Sequence, residues 1–351
     1  MEGKRVYLLK NNVPFYKANL HCHSTVSDGE FSPEELKKLY KNKGYSILAL
    51  TDHEVLVPHD ELNDDAFLTL PGYELQTFGD KHLPKLMRRV SHMNFYPKDA
   101  HNSTQPFFSI SDVMQLDTPP DISGVKHLGE IEKEYSAEGI NRLIRLGREA
   151  GFIVSLNHPT WSKEDASIYT NLEGLFAVEI YNHDCHLAGY DCYCPYVYEE
   201  MLRSGQHIGC IATDDTHHPE DLFGGFTMIS APELSHAAVI KALEQGDFYA
   251  SRGPEIKELW YENGRFHIEC TAAAEIVLSN SGRRKPANSV KRDPKGEITS
   301  ADFPLDENDL FVRFTVMDTQ GRTANTRAYW REEFEESPAA IPNICNRKIG
   351  G

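Results

Sequence analysis

Along the first 250 residues, short apolar runs rich in β-branched residues recur at 18–20, 47–50, 67–70, 153–156, 177–180 and 208–212. Runs of this length and composition predict buried strands. Helical segments lie between many of them. The clearest opens at Ser32-Pro33-Glu34-Glu35, where Ser caps, Pro suits the first turn, Glu closes a capping box and Gly44 can end the helix. A second is expected over about 137–150, stopped by Gly151. Strands alternating with helices predict a parallel sheet, and fully apolar strands predict cover on both faces, as in a barrel or a doubly wound sheet. After residue 250 the pattern changes. Two-residue alternation at 265–270 and 311–317, between Gly-, Asn-, Asp- and Lys-rich stretches, predicts antiparallel strands. The chain is therefore divided into an α/β unit over 1–254, a small antiparallel β domain over 255–335 and an irregular tail over 336–351.

Composition narrows the partners. Asp and Glu number 53 against 36 Lys and Arg, a formal net charge of -17. That balance argues against a surface that neutralises nucleic-acid phosphates or anionic lipid. No apolar stretch reaches the roughly 20 residues of a membrane helix, and the opening lacks the apolar core of a secretory signal. Seven Cys is an odd number, and in a large domain without a signal such thiols are expected to be reduced. The expected location is the cytoplasm.

The chemistry lies at the residues that end these apolar runs. His21-Cys22-His23, Thr51-Asp52-His53, Tyr73-Glu74, Asn157-His158 and Asp214-Asp215-Thr216-His217 all stand at strand ends, Glu179 lies on a strand, and His92 is a further candidate. One such His is ordinarily a hydrogen-bonded structural residue. Recurrence at nearly every strand end is different, because buried acids and imidazoles cost free energy unless something pairs with them. A metal cluster supplies that pairing. In parallel α/β folds the C-terminal strand ends share one mouth, so ligands far apart in sequence converge. Residues i and i+2 of an extended strand face the same way, which suits His21 with His23 and Asp215 with His217. Asp215 is preferred to Asp214 on the same ground. The irregular stretch after Glu74 leaves His82 and His101 as alternatives to His92. The Cys- and His-containing segment 183–194 lacks the paired spacing of a zinc ribbon and is read instead as a substrate-facing loop with incidental thiols.

The segments His21-Cys22-His23-Ser24-Thr25-Val26-Ser27-Asp28-Gly29 and Thr51-Asp52-His53 resemble the first two motifs of the PHP (polymerase and histidinol phosphatase) family. Gly72-Tyr73-Glu74, His92-Met93-Asn94, Asn157-His158-Pro159, the segment 178–182, the segment 212–217 and Phe248-Tyr249-Ala250-Ser251-Arg252-Gly253-Pro254 resemble its CehA/McbA-type metallohydrolase branch. The resemblance spans roughly residues 15–255. It implies a distorted (β/α)7 TIM-like barrel and a centre of two or three divalent ions; nitrogen and oxygen ligands without a clear Cys suit Zn, Mn or Fe. One ion would take His21, His23, Glu74 and Asp215; a second would share Glu74 and add His92 and His158; a third would take Asp28, His53 and His217. Asp214, Glu179 and Asp52 are supporting residues or alternative ligands.

The expected reaction is hydrolysis by a metal-bridging hydroxide held by Glu74, Asp215 and His158, most readily of a phosphate ester in a small anionic metabolite or nucleotide. A carboxyl ester, amide or carbamate is the alternative substrate, and a non-catalytic metal-binding scaffold is a third reading. Arg252, Lys81, Arg88 and Arg89 are candidate anion contacts, with Arg252 favoured. The C-terminal strands could shape the pocket, and a homo-oligomer is compatible with them.

Overall fold

The computed structural model describes residues 5–9, 12–114, 116 and 118–335; the tail assigned to 336–351 lies outside them. Strands Phe15–Asn19, Ile47–Leu50, Leu68–Pro71, Phe152–Leu156, Ala177–Asn182 and Gly209–Thr213 coincide with the six apolar runs. Helix Pro33–Asn42 carries the Ser32–Glu35 capping box, and Gly44 beyond it has φ 77°, a left-handed conformation that costs Gly little. The second helix, Ala137–Glu149, is capped by Ser136. It lays Ile140, Leu143 and Ile144 on the strand Phe152–Leu156.

The chain is a mixed α/β protein, and its strands do not close into the expected (β/α)7 barrel. They form two open arcs. One is a five-stranded sheet in the order Gly209–Thr213, Ala177–Asn182, Phe152–Leu156, Val90–Pro97, Tyr73–Phe78. The other runs Phe248–Ser251, Phe226–Ser230, Phe15–Asn19, Ile47–Leu50, Leu68–Pro71 within a ten-stranded sheet. The regular alternation fails because Tyr73–Phe78 and Val90–Pro97 are an antiparallel pair and Phe226–Ser230 runs antiparallel to Phe15–Asn19. The chain passes from one arc to the other at Gly72, where a Cβ would lie 3.0 Å from the Tyr96 ring and 3.2 Å from the Phe95 carbonyl oxygen. The arcs touch through isolated bridges at Cys22–Thr216 and His53–Glu74. Both bridges lie at candidate ligands, so the seams between the sheets are where the strand-end side chains meet.

Beyond residue 255 the strands are antiparallel. Ile256–Glu262, Arg265–Ala273 and Ile298–Pro304 form a four-stranded sheet with Val6–Leu9 from the chain start. Glu275–Asn280, Phe311–Met317 and Thr323–Thr326 extend the ten-stranded sheet, the last pairing with Phe248–Ser251. Leu259, Phe266, Ile268, Phe303 and Phe314 fill the space between these two sheets. Alternating residues point inward, as period-two patterning requires. Among the described residues no helix is long and apolar enough to cross a membrane. The described cysteines are free and buried.

Candidate metal centre

The residues assigned to the three ion positions, His21, His23, Asp28, His53, Glu74, His92, His158, Asp215 and His217, fall into overlapping groups. Groups whose ligand atoms lie within 4.8 Å of one another are His23, Asp28, His53 and His217; His21, His23 and Glu74; Glu74, His92 and His158; and His21, His158 and Asp215. Glu74 is central. Its Oε1 lies 3.2 Å from His21 Nε2, 3.1 Å from His92 Nδ1 and 3.2 Å from His158 Nε2, and its Oε2 is 3.0 Å from His53 Nδ1. Asp215 Oδ1 lies 3.1 Å from His21 Nε2 and 3.0 Å from His23 Nε2. Asp28 approaches His53 Nε2 at 3.5 Å and His217 Nε2 at 3.6 Å. His92 takes its position by pairing opposite Gln76 across the hairpin, whereas His82 and His101 are exposed.

These separations suit a shared cation. Two ligand atoms each about 2.1 Å from one ion sit roughly 3–3.5 Å apart in tetrahedral or octahedral geometry. Hydrogen bonding does not account for the arrangement. His23 Nδ1, His53 Nδ1, Glu74 Oε2 and Asp215 Oδ1 are buried without a hydrogen-bond partner among the described residues. Buried polar atoms left in this way cost about 1–3 kcal/mol each. An N/O donor set of this kind fits Zn, Mn or Fe.

The surrounding residues fix which ring nitrogen faces the pocket. Glu179 Oε1 accepts from His21 Nδ1 at 2.7 Å and from Thr213, while its Oε2 accepts from the His158 amide and Asn182. Both Glu179 oxygens are engaged in this way, and Glu179 is in none of the ligand-atom groups. His158 Nδ1 meets Ser162 Oγ at 3.2 Å, and His217 Nδ1 donates to the Asp215 carbonyl at 2.9 Å. In each case Nε2 is left for the pocket. Asp52 accepts from the amides and hydroxyls of Ser24 and Ser27, shaping the loop between His23 and Asp28. Asp214 accepts from Tyr40 Oη and from the amides of Phe223 and Gly225, away from the pocket.

Asp215 rather than Asp214 lies among the imidazoles, and strand alternation is not the reason. Asp215 has φ 55° and His158 φ 24°, so both leave the strand in left-handed backbone that non-Gly residues rarely adopt. The amide of Asp215 donates to the His21 carbonyl, which anchors the turn.

Charge is shared unevenly among these groups. Burial lowers the His21 imidazole, but Asp215, Glu74 and Glu179 outweigh it and raise it well above its usual range. The same competition lifts His53, mainly through Asp28 and Glu74, and His158, mainly through Glu74 and Asp215, each to about 9. Burial and the neighbouring His217 and His53 instead depress His23 to about 4. Against a burial penalty, the surrounding imidazoles hold Glu74 and Asp215 well below ordinary carboxylates.

Several contributors were given no role from the sequence. Asn157 Nδ2 donates to Glu74 Oε1 at 2.8 Å, and Asn182 Nδ2 to Asp215 Oδ2 at 3.0 Å. Trp161 packs its ring against His92 and His158. Lys133, buried, reaches Glu54 at 2.7 Å and Asp112 at 3.0 Å, tying the segment after residue 98 to the residue next to His53. Neighbouring Asn residues in the motifs were the available hint; Lys133 stands 79 positions from Glu54 and offered none. Of the cationic candidates, Arg89 pairs with Asp80 and Asp165, Arg88 braces Leu83 and Lys81 carbonyls, and Lys81 is exposed. Arg252 places its guanidinium 4.2 Å over the Tyr181 ring, whose hydroxyl meets His183 Nδ1 at 2.7 Å.

No family model matches the chain. A 5'-3' exoribonuclease of Haemophilus influenzae is 49% identical over 45 residues, which is 13% of this chain and 16% of that protein. A two-domain protein from Bacteroides vulgatus, described as containing a predicted PHP-like metal-dependent phosphoesterase, is structurally similar over 94% of this chain and 98% of its own, with 15% identity and a TM-score of 0.45. An amidohydrolase from Chromobacterium violaceum is similar over 57% of this chain and 88% of its own, with 14% identity and a TM-score of 0.38.

Proposed function

We propose that this chain is a PHP-type metal-dependent hydrolase acting on phosphate esters of small anionic molecules in the cytoplasm. The observation that carries the reading is the convergence of His21, His23, Asp28, His53, Glu74, His92, His158, Asp215 and His217, with buried ligand atoms left unpaired. Glu74 and Asp215 would be shared ligands of a centre of two or three ions. Divalent cations held there lower the pKa of water towards neutrality and polarise a P=O bond.

The residues supply the rest. Glu179 keeps the proton of His21 on Nδ1, so the Nε2 lone pair faces the pocket. Asn157 and Asn182 hold the Glu74 and Asp215 carboxylates in fixed orientations. The Asp28 side chain is 30% exposed and that of His217 19%, against 0% for His21 and His23, so substrate enters at the Asp28–His217 end. Arg252, whose guanidinium lies over the Tyr181 ring beside His183, is a cation suited to a phosphoryl oxygen. The short likeness to a protein named as an exoribonuclease is in keeping with a phosphodiester, while the net charge of -17 favours a small substrate over a long polyanion.

The test is a panel of chromogenic phosphomonoesters, phosphodiesters and carboxyl esters assayed on stripped protein reloaded with Zn, Mn or Fe. Metal-dependent turnover of phosphoesters supports the reading. Turnover of carboxyl esters alone would overturn its phosphoester part, and a protein that binds no metal would overturn all of it.

A further inference from the structure

The segment set aside as a loop with incidental thiols contains a cluster of its own. Asp184, Cys185 and Asp215 place a carboxylate oxygen, Sγ and a carboxylate oxygen within 4.8 Å of one another. The arrangement is built rather than accidental. Asn182 caps the short helix His183–Leu187 by accepting from the Cys185 amide at 3.0 Å, and the same side chain donates to Asp215 Oδ2. The Asp184 amide donates to the Asp214 carbonyl, pinning the helix start to the strand end that delivers Asp215. One further observation points to a ligand. Asp215, 3% exposed, has Oδ1 without a hydrogen-bond partner, the atom that also faces His21 and His23. The backbone ties a second buried cysteine to the same turn: the Asn182 amide donates to the Cys192 carbonyl and the Tyr190 amide to the Cys185 carbonyl. Cys194, by contrast, donates to the Glu179 carbonyl and faces elsewhere.

We propose that Asp184, Cys185 and Asp215 form an additional cation position that takes a thiophilic divalent ion, zinc or cadmium. Sulfur is what sets it apart from the His- and carboxylate-lined centre, because thiolate ligands select softer ions than oxygen and imidazole do. Binding forms a sulfur–metal bond and releases the Cys185 thiol proton to solvent. Asp215 belongs to both positions, so an ion here draws one carboxylate away from the main centre, and excess zinc inhibits. This last consequence rests on the hydrolase reading; the cation position itself does not.

The experiment uses the full chain, kept reduced with a phosphine, loaded with Mn and titrated with cadmium. Wild-type protein is expected to develop thiolate-to-cadmium charge-transfer absorption that saturates near one equivalent. Cys185→Ser abolishes the band, Asp184→Asn weakens cadmium binding by at least the about 10-fold typical of a lost supporting partner, and Cys270→Ser, in the distant C-terminal sheet, leaves it unchanged. Absence of the band in wild-type protein, or its persistence in Cys185→Ser, overturns the proposal. Ions held by nitrogen and oxygen give no such band, so failure of the main centre registers separately, as missing Mn in elemental analysis.

Discussion

Glu179 Oε1 accepts a hydrogen bond from His21 Nδ1 at 2.7 Å in a pair fully withdrawn from water. A carboxylate in that position fixes the imidazole tautomer and increases the basicity of Nε2, the atom that faces Glu74 and Asp215. Glu179→Gln keeps the size and an acceptor but removes the charge. Metal affinity is expected to fall about 10–100-fold with the fold retained. Competition against a chromophoric chelator measures it, and an unchanged affinity would show that Glu179 only fills space.

Glu74 and Asp28 should differ in how many ions their loss releases. Glu74 contacts His21, His53, His92 and His158, whereas Asp28 belongs to the group with His23, His53 and His217 alone. Elemental analysis of Glu74→Gln is therefore expected to show a larger loss of metal per chain than Asp28→Asn. Equal losses would mean that Glu74 is not shared.

Removing metal should destabilise the native state. Buried imidazoles and carboxylates at His21, His23 and Glu74 are then left facing one another without a cation. Chelation is expected to lower Tm and re-addition to restore it, by about 4 kcal/mol when free metal stands at roughly 1,000 times its Kd. A Tm that ignores chelator, in protein shown to have lost its metal, counts against the centre.

Lys133 is enclosed with Glu54 and Asp112. Lys133→Met leaves two buried acids unneutralised and is expected to cost about 3–5 kcal/mol in denaturant unfolding. Adding Glu54→Gln should recover part of that loss, since the remaining carboxylate then has less uncompensated charge beside it. A double variant no better than the single one would contradict this account.

Glu164 provides a pH signature. Both of its carboxyl oxygens are buried without a hydrogen-bond partner, and burial pushes the group from 4.5 up to about 8, against the lowering influence of Ser91 and His158. Between those values the unfolded chain gives up a proton that the native protein keeps. Wild-type stability therefore falls as pH rises through that window, by at most about 1.4 kcal/mol per unit. Glu164→Gln should match wild type near pH 4.5 and exceed it in Tm above pH 8. Parallel Tm profiles for the two proteins would refute the shift.

Much of the centre was legible because strand ends announce themselves. The apolar runs before His21, His53 and His158 are short, and each stops at a residue that an apolar core cannot hold unpaired. The Ser32–Glu35 box and the Arg265–Ala273 alternation were equally local signals. The strand directions were not legible. Apolar runs alone do not give them, and the antiparallel hairpin of Tyr73–Phe78 with Val90–Pro97 breaks the alternation that a (β/α)7 barrel requires.

What the sequence determined by itself is the set of chemically committed side chains and the elements that carry them, since propensity, capping and burial act over a few residues. Tertiary structure alone decided which His21 nitrogen meets Glu179, that Lys133 meets Glu54, and that Cys185 sits beside Asp215. Those relationships depend on backbone turns at His158 and Asp215 and on contacts between residues far apart in the chain, for which no local pattern exists.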